Sequence, residues 1–271
     1  MEKGRSARSA KALSKPYRKK EMGIVVKSPQ EIEIMRQAGR IVGAILDVLK
    51  KRIEPGISTQ ELDAITVHEL SRHGAESSFK GYRGFPSHLC VSVNEELVHG
   101  IPGKRILKDG DIVSLDFGAV FNGFHGDAAI TVGVGTISRQ AEALLEATNG
   151  ALNAGIASAR SGAHLGDISA AIQSFAESLG FSVVREYVGH GIGHQMHEDP
   201  QIPNFGSAGR GPILRKGMAL ALEPMVNAGD WLTKVANDGW TVTTADGSLC
   251  AHFENTIAIS DGEAEILTRF S

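Results

Sequence analysis

The chain has 271 residues with 42% apolar, 22% charged and only 6% aromatic side chains, and a formal net charge of −3. These are figures of an ordinary globular protein with a largely aliphatic core. No run approaches the roughly 18 to 20 apolar residues of a membrane helix, and the N-terminus lacks the apolar segment of a secretory signal. Cys90 and Cys250 lie far apart in apolar, strand-like context. They read as buried free thiols of a reducing compartment, so a cytoplasmic monomer without membrane contact is the expectation.

Residues 1–20 hold eight Lys/Arg and one Glu, which leaves −10 on the remainder. This head has no apolar period and cannot bury enough surface to fold alone. The chain therefore divides into a basic extension, 1–23, and one globular domain, 24–271. Three readings of the head stand open: a solvated tail, a basic arm touching ribosomal RNA through its phosphates, or a short transit peptide.

Ser28-Pro29-Gln30-Glu31 joins a cap, a first-turn proline and a capping-box glutamate. Met35, Ala38, Val42, Ile45 and Leu49 then mark one apolar helical face up to Pro55-Gly56. Ser58-Thr59-Gln60-Glu61 opens a second helix that Gly74 stops. From Leu89 to Val134 the texture is β-branched, and Asn122-Gly123 between Ile112–Val120 and Phe124–Val134 is a strong hairpin signal. Helices are expected near Ser138–Arg160 and Leu165–Gly180. Strands are expected at Phe181–Tyr187, Met218–Val226, Trp240–Thr244 and Ala251–Ile259.

A weak internal repeat runs through this order. Leu107-Lys108-Asp109-Gly110 followed by an apolar strand ending at Asp116 resembles Leu214-Arg215-Lys216-Gly217 followed by one ending at Glu223, 107 residues on. Pro55-Gly56 before a helix parallels Ser161-Gly162, 106 residues on. Two halves about a pseudo-twofold would bring Asp116 and Glu223 to equivalent places.

Five candidate ligands follow: Asp116, Asp127, His190, Glu223 and Glu254. In a hairpin turning on Asn122-Gly123, Gly118 faces Asp127 and Asp116 faces Ala129. Both aspartates then project from one face, roughly 7–8 Å apart and within bridging reach of cations. Glu223 ends an apolar run just before Pro224, and alternation puts His252, Glu254 and Thr256 on one face. Four buried carboxylates repel and are costly to desolvate without counter-charge. Two divalent cations would supply it, and a mostly oxygen set with one imidazole suits Mn²⁺, Fe²⁺, Co²⁺ or Zn²⁺. In the histidine-dense stretch 190–197, His190 is assigned to metal and His197 to substrate; His99 is a second substrate candidate, and His125 and His194 read as solvated polar residues.

These segments together resemble the type I methionine aminopeptidases. The matching stretches are Ser92–Pro102, Asp109–Val113, Gly126-Asp127, Gly189–Gly193, Leu222–Met225, Asp238–Val242 and Phe253–Thr256, within residues 24–269. The resemblance implies a pita-bread fold of mixed α/β (α+β) class, an antiparallel curved sheet from two pseudo-twofold halves with helices on the outer face. It implies two divalent metals (Co, Mn, Fe, Zn or Ni), one held by Asp116 and Asp127 and the other by Asp127, His190, Glu223 and Glu254, with a hydroxide bridging them. It further implies His99 and His197 beside the substrate, Glu223 as proton shuttle, and Tyr82, Phe85, Cys90, Met196 and Trp240 around a methionine side chain. The implied substrate is the N-terminus of a nascent polypeptide with a small second residue.

Asn255, His252 and Ala128 stand where the family often carries His, Gln and Thr, and Cys250 replaces a small polar residue near a monovalent-cation site that the resemblance places at Asn94. These departures bear on kinetics and on that cation rather than on the reaction. Two rival readings share the fold: an aminopeptidase P or prolidase, which usually carries a further N-terminal domain, and a metal-free binding module, whose signature would be missing ligands. The lack of a long insertion between His190 and Glu254 disfavours the type II enzymes.

Overall fold

The computed structural model describes residues 23–269; the basic head lies outside them. Ser28 opens α1 (Pro29–Arg52) through the expected capping box. Its hydroxyl accepts from the Glu31 N–H at 3.3 Å, and the Glu31 carboxylate accepts from the Ser28 N–H at 2.7 Å. Ser58 repeats the device for α2 (Thr59–His73), which Gly74 closes in the left-handed region at φ 61°. The third and fourth helices fall where expected, α3 at Arg139–Ser158 and α4 at Leu165–Ser178.

The strands, in chain order, are β1 (Glu76–Ser77), β2 (Cys90–Val93), β3 (Glu96–Val98), β4 (Ile112–Phe121), β5 (Phe124–Gly133), β6 (Ser182–Val183), β7 (Gly189–Gly191) and β8 (Glu198–Ile202), then β9 (Ala219–Leu222), β10 (Met225–Asn227), β11 (Thr233–Val235), β12 (Val242–Thr244), β13 (Cys250–His252), β14 (Glu254–Ala258) and β15 (Glu265–Ile266). The large sheet runs β1–β4–β5–β14–β9–β7–β8, with β2 also on β4 and β15 on β14. Two small sheets, β13–β10–β6 and β11–β12–β3, complete the set.

Four expected strands are shorter or broken, Trp240–Thr244 by its first two residues. Pro224 cannot donate to a ladder, so the run 218–226 splits into β9 and β10 in different sheets. Of Phe181–Tyr187 only Ser182 and Val183 pair. The run 251–259 breaks at Phe253. His252 therefore lies in a small sheet and Glu254 in the large one, and the uninterrupted alternation expected for them fails.

The repeat is written in hydrogen bonds. Gly56 N–H donates to Leu107 O and Leu107 N–H to Ile57 O; 106 to 107 residues later, Gly162 N–H donates to Leu214 O and Leu214 N–H to Ala163 O. Thr59 N–H to Arg105 O has its counterpart in Leu165 N–H to Pro212 O. The strand order β2–β4–β5 is mirrored by β7–β9–β14, and β5 meets β14 at the seam.

Each half keeps its own core. Val42, Ile45, Leu49 and Leu62 of α1 and α2 pack on Val113, Leu115 and Phe117. Leu144, Leu152, Ile168 and Ile172 of α3 and α4 pack with Leu220, Leu222 and Ile257. The apolar side of the sheet is thus consumed by helices, and the opposite side is left for polar groups.

Helix α1 makes one backbone approach that only glycine permits: a Cβ on Gly39 would stand 2.3 Å from the Leu267 carbonyl oxygen. Alanine gains about 1 kcal/mol of helix propensity, but overpacking costs about 1–3 kcal/mol, so the clash wins. Gly39→Ala is expected to lower unfolding stability by about 1–2 kcal/mol, read as a lower urea midpoint at unchanged slope. A raised midpoint would show that the Leu267 segment yields freely.

Candidate metal centre

Asn122 and Gly123 both take positive φ, 48° and 78°, the two-residue turn that matches strand twist. It sets the register read from the sequence: Phe121 opposite Phe124, Gly118 opposite Asp127, Asp116 opposite Ala129. From the other side Glu254 pairs with the same Ala129. Asp116, Ala129 and Glu254 therefore stand in one row across three strands. The Thr256 hydroxyl accepts from the Asp127 N–H at 3.0 Å and donates to the Asp127 carbonyl at 2.8 Å, fixing β5 to β14 beside the row.

The second half brings the remaining groups. His190 on β7 pairs with Ala221 of β9, and Glu223 follows the last residue of β9. All five expected ligands line one cavity of about 150 Å³. Ligand atoms of Asp127, His190 and Glu254 lie within 4.8 Å of one another. His190 Nε2 is 3.5 Å from Glu223 Oε1 and 3.9 Å from Asp127 Oδ2. Asp116 reaches the same cavity from β4.

Several atoms here have no partner. Asp116 Oδ1, Asp127 Oδ1 and Glu254 Oε1 are buried without any hydrogen-bond donor. Burial pushes the carboxyl pKa of Asp116 up to about 7. Asp127, Glu223 and Glu254 are held well above the carboxylate range, by burial first and then by their mutual charge. Burial also lowers His190 to about 4. A carbonyl can only accept, so the 2.9 Å contact to Gly191 O puts the proton on Nδ1 and leaves the Nε2 lone pair facing Asp127 and Glu223. Orphaned acceptors and a pre-set imidazole fit divalent cations.

The same cavity is lined by Tyr82, Phe85, Cys90, His99, Met196, His197 and Trp240, the whole expected substrate set. Phe85 meets the Trp240 ring edge-on at 5.2 Å, and Tyr82 stacks on His197 with its hydroxyl 2.9 Å from Nδ1. His99 sits in the left-handed region at φ 60°, against Tyr187.

The sequence reading missed Phe79 and Arg83, which also line the cavity. Their signal was the Gly- and aromatic-rich run 78–85, which mixes core and rim residues. His125 is not merely solvated: its Nδ1 is 2.8 Å from Ser78 Oγ, and its N–H donates to Gly193 O. His194 is exposed. The loop carrying Met196 and His197 is further held by Lys27, whose Nζ is 2.6 Å from Glu198 with both side chains buried.

At the position named for a monovalent cation, the Asn94 carbonyl accepts from the Cys250 N–H at 3.0 Å, and the Cys250 thiol lies 3.3 Å from the same oxygen.

Residues 33–261 match the description of metallopeptidase family M24. The chain belongs to that family, among its methionine aminopeptidases. It is 57% identical over 246 residues to methionine aminopeptidase 1 of Bacillus subtilis, covering 91% of this chain and 99% of that one. The crystal structure of the Thermotoga maritima methionine aminopeptidase superposes with a TM-score of 0.90 at 48% identity, covering 91% and 100%. The prolidase of Pyrococcus furiosus matches at a TM-score of 0.73 and 21% identity, covering 91% of this chain and 66% of that one; that likeness shows the pita-bread fold alone. An M24 metallopeptidase with this donor set takes divalent metal, and no helix among the described residues is long and apolar enough to cross a membrane.

Because burial keeps protons on these carboxyls, metal uptake must expel them. Loading the metal-free protein with Mn²⁺ near pH 7 is expected to release protons, and affinity should weaken as pH falls through the value of about 7 held by Asp116. Calorimetry in buffers of different protonation enthalpy reads this directly. Identical heats in all buffers would show that the cluster is already ionised.

Proposed function

We propose that this M24 member removes the N-terminal methionine of nascent polypeptides whose second residue is small. Asp116 and Asp127 would hold one divalent cation, and Asp127, His190, Glu223 and Glu254 a second. One observation carries the reading: this ligand cluster forms the floor of a small cavity whose walls suit a thioether. Phe79, Phe85, Cys90 and Met196 cluster there with Tyr82 and Trp240 partly buried around them, and sulfur packs favourably against aromatic rings.

Bound divalent cations would supply counter-charge, polarise the scissile carbonyl and bring the pKa of a water near neutrality. The protein does the rest. The cavity, about 150 Å³ in volume, has room for one side chain of this size, so the residue entering it would be terminal, with its α-amine near the carboxylates and His99. Tyr82 can donate its hydroxyl proton to His197 Nδ1 across 2.9 Å, which leaves an N–H at Nε2. Burial, then the charge of His190 and Arg83, lowers the His197 pKa. The ring therefore stays neutral and can donate to the developing oxyanion. Glu223, which follows β9 at the edge of the cluster, would carry a proton to the leaving amine.

The donor chemistry leaves Co, Mn, Fe, Zn and Ni as the metals to be compared. The head, residues 1–20, with eight Lys/Arg and one Glu, fits a basic arm for ribosomal RNA near the emerging substrate.

Metal-dependent cleavage of Met-Ala-Ser with none of Gly-Pro-X peptides tests the reading; the reverse preference would point to a prolidase. In the same assay His197→Ala is expected to lower kcat by roughly 10²–10³, whereas a change in KM alone would remove its oxyanion role. Deleting residues 1–20 should abolish co-sedimentation with ribosomes at low salt while tripeptide cleavage continues. Unchanged co-sedimentation would dismiss the arm.

A further inference from the structure

Arg83 is a cation that the chemistry above uses only through the effect of its charge on His197. It lines the same cavity as the ligand cluster, yet its own surface is exposed, so it stands at the mouth. Among the described residues no carboxylate pairs with it; its guanidinium lies over the Tyr82 ring, 5.3 Å from the centroid. Stacking on a ring face leaves the N–H edge of the guanidinium free to donate.

The local backbone presents this residue by design of the loop. Arg83 adopts φ 50° and ψ 19°, a left-handed conformation that a long side chain seldom takes and that often marks a functional position. Gly81 and Gly84, at φ 82° and 92°, flank it. Four backbone hydrogen bonds hold the turn: Tyr82 N–H to Phe79 O, Gly84 N–H to Gly81 O, Phe85 N–H to Tyr82 O, and Gly81 N–H to Phe85 O. These bonds hold the turn, and the Arg83 side chain at its tip is exposed.

Its charge is felt where the substrate is cut. After burial, Arg83 is a cause of the lowered pKa of His99, and after burial and His190 it is a cause for His197. An extended chain advances ~3.3 Å per residue. The side chain two residues beyond the cleaved bond therefore lies roughly 6–7 Å out, which is the span of an arginine side chain reaching from the mouth.

We propose that Arg83 forms a downstream subsite for a carboxylate, supplied by an acidic side chain at the third position of the polypeptide or by the terminus of a short peptide. The inference rests on the aminopeptidase reading and gives it a preference beyond the first two residues. Arg83 touches none of the reacting atoms, so its contribution appears in KM rather than kcat.

The test compares Met-Ala-Asp-amide with Met-Ala-Asn-amide, and Met-Ala-Ser as free acid with its amide, on the metal-loaded full chain. A half-exposed charge-assisted contact predicts a preference of about five- to tenfold in kcat/KM for the carboxylate, eroded by rising ionic strength. Arg83→Asn, a residue that tolerates the left-handed turn, should collapse the ratio to near unity, and Arg83→Lys should retain part of it. Preference in the first pair assigns the side chain as the source, and preference in the second pair alone assigns the terminus. Equal rates within both pairs, or a preference that survives Arg83→Asn, overturns the subsite while leaving the peptidase intact. Failure to cut any of the four peptides would instead sink the aminopeptidase reading, and this inference with it.

Discussion

Asp116, Asp127, Glu223 and Glu254 share one cavity in which burial, and for the last three the charge of neighbouring carboxylates, makes ionisation harder. Unit charges about 4 Å apart repel by roughly 4 kcal/mol at the effective dielectric of a protein, a sizeable fraction of the stability of a whole domain. The fold therefore has to hold four mutually hostile groups at fixed positions by other means. It does so with backbone: three of the carboxylates project from strands β4, β5 and β14, and the fourth directly follows β9. The helices on the far face supply the apolar burial that offsets the cost. Without counter-charge the cluster survives by keeping its protons, and with it the protons leave.

What holds the ligands also explains why so much of the centre was legible in the sequence. Asn122-Gly123 fixes register locally, so the placement of Asp116 and Asp127 needed nothing beyond the hairpin. Capping at Ser28 and Ser58 is equally local. The repeat extended legibility across the chain, because matched turns around Leu107 and Leu214 imply matched strands.

The failures share the opposite character. His252 and Glu254 are neighbours in sequence, yet the strand breaks between them and the two belong to different sheets, a choice made by tertiary packing. Their side chains still approach, His252 Nε2 to Glu254 Oε2 at 3.9 Å. The tie between Lys27 and Glu198 spans 171 positions and has no local signature. Phe79 looked like any core aromatic, and Arg83 like any surface cation. Their importance lies in which cavity they face.

The repeat has a consequence for how such a centre can arise. Asp116 and Asp127 belong to the first half, and His190, Glu223 and Glu254 to the second, with β5 against β14 between them. Neither half encloses an ion by itself. A shorter chain encoding one half could close the centre only by pairing with a second copy across a twofold axis. Joining two copies head to tail frees each to diverge, so that one half keeps aspartates while the other acquires an imidazole. The single polypeptide thus retains the symmetry of a homodimer while escaping its obligation to be identical on both sides.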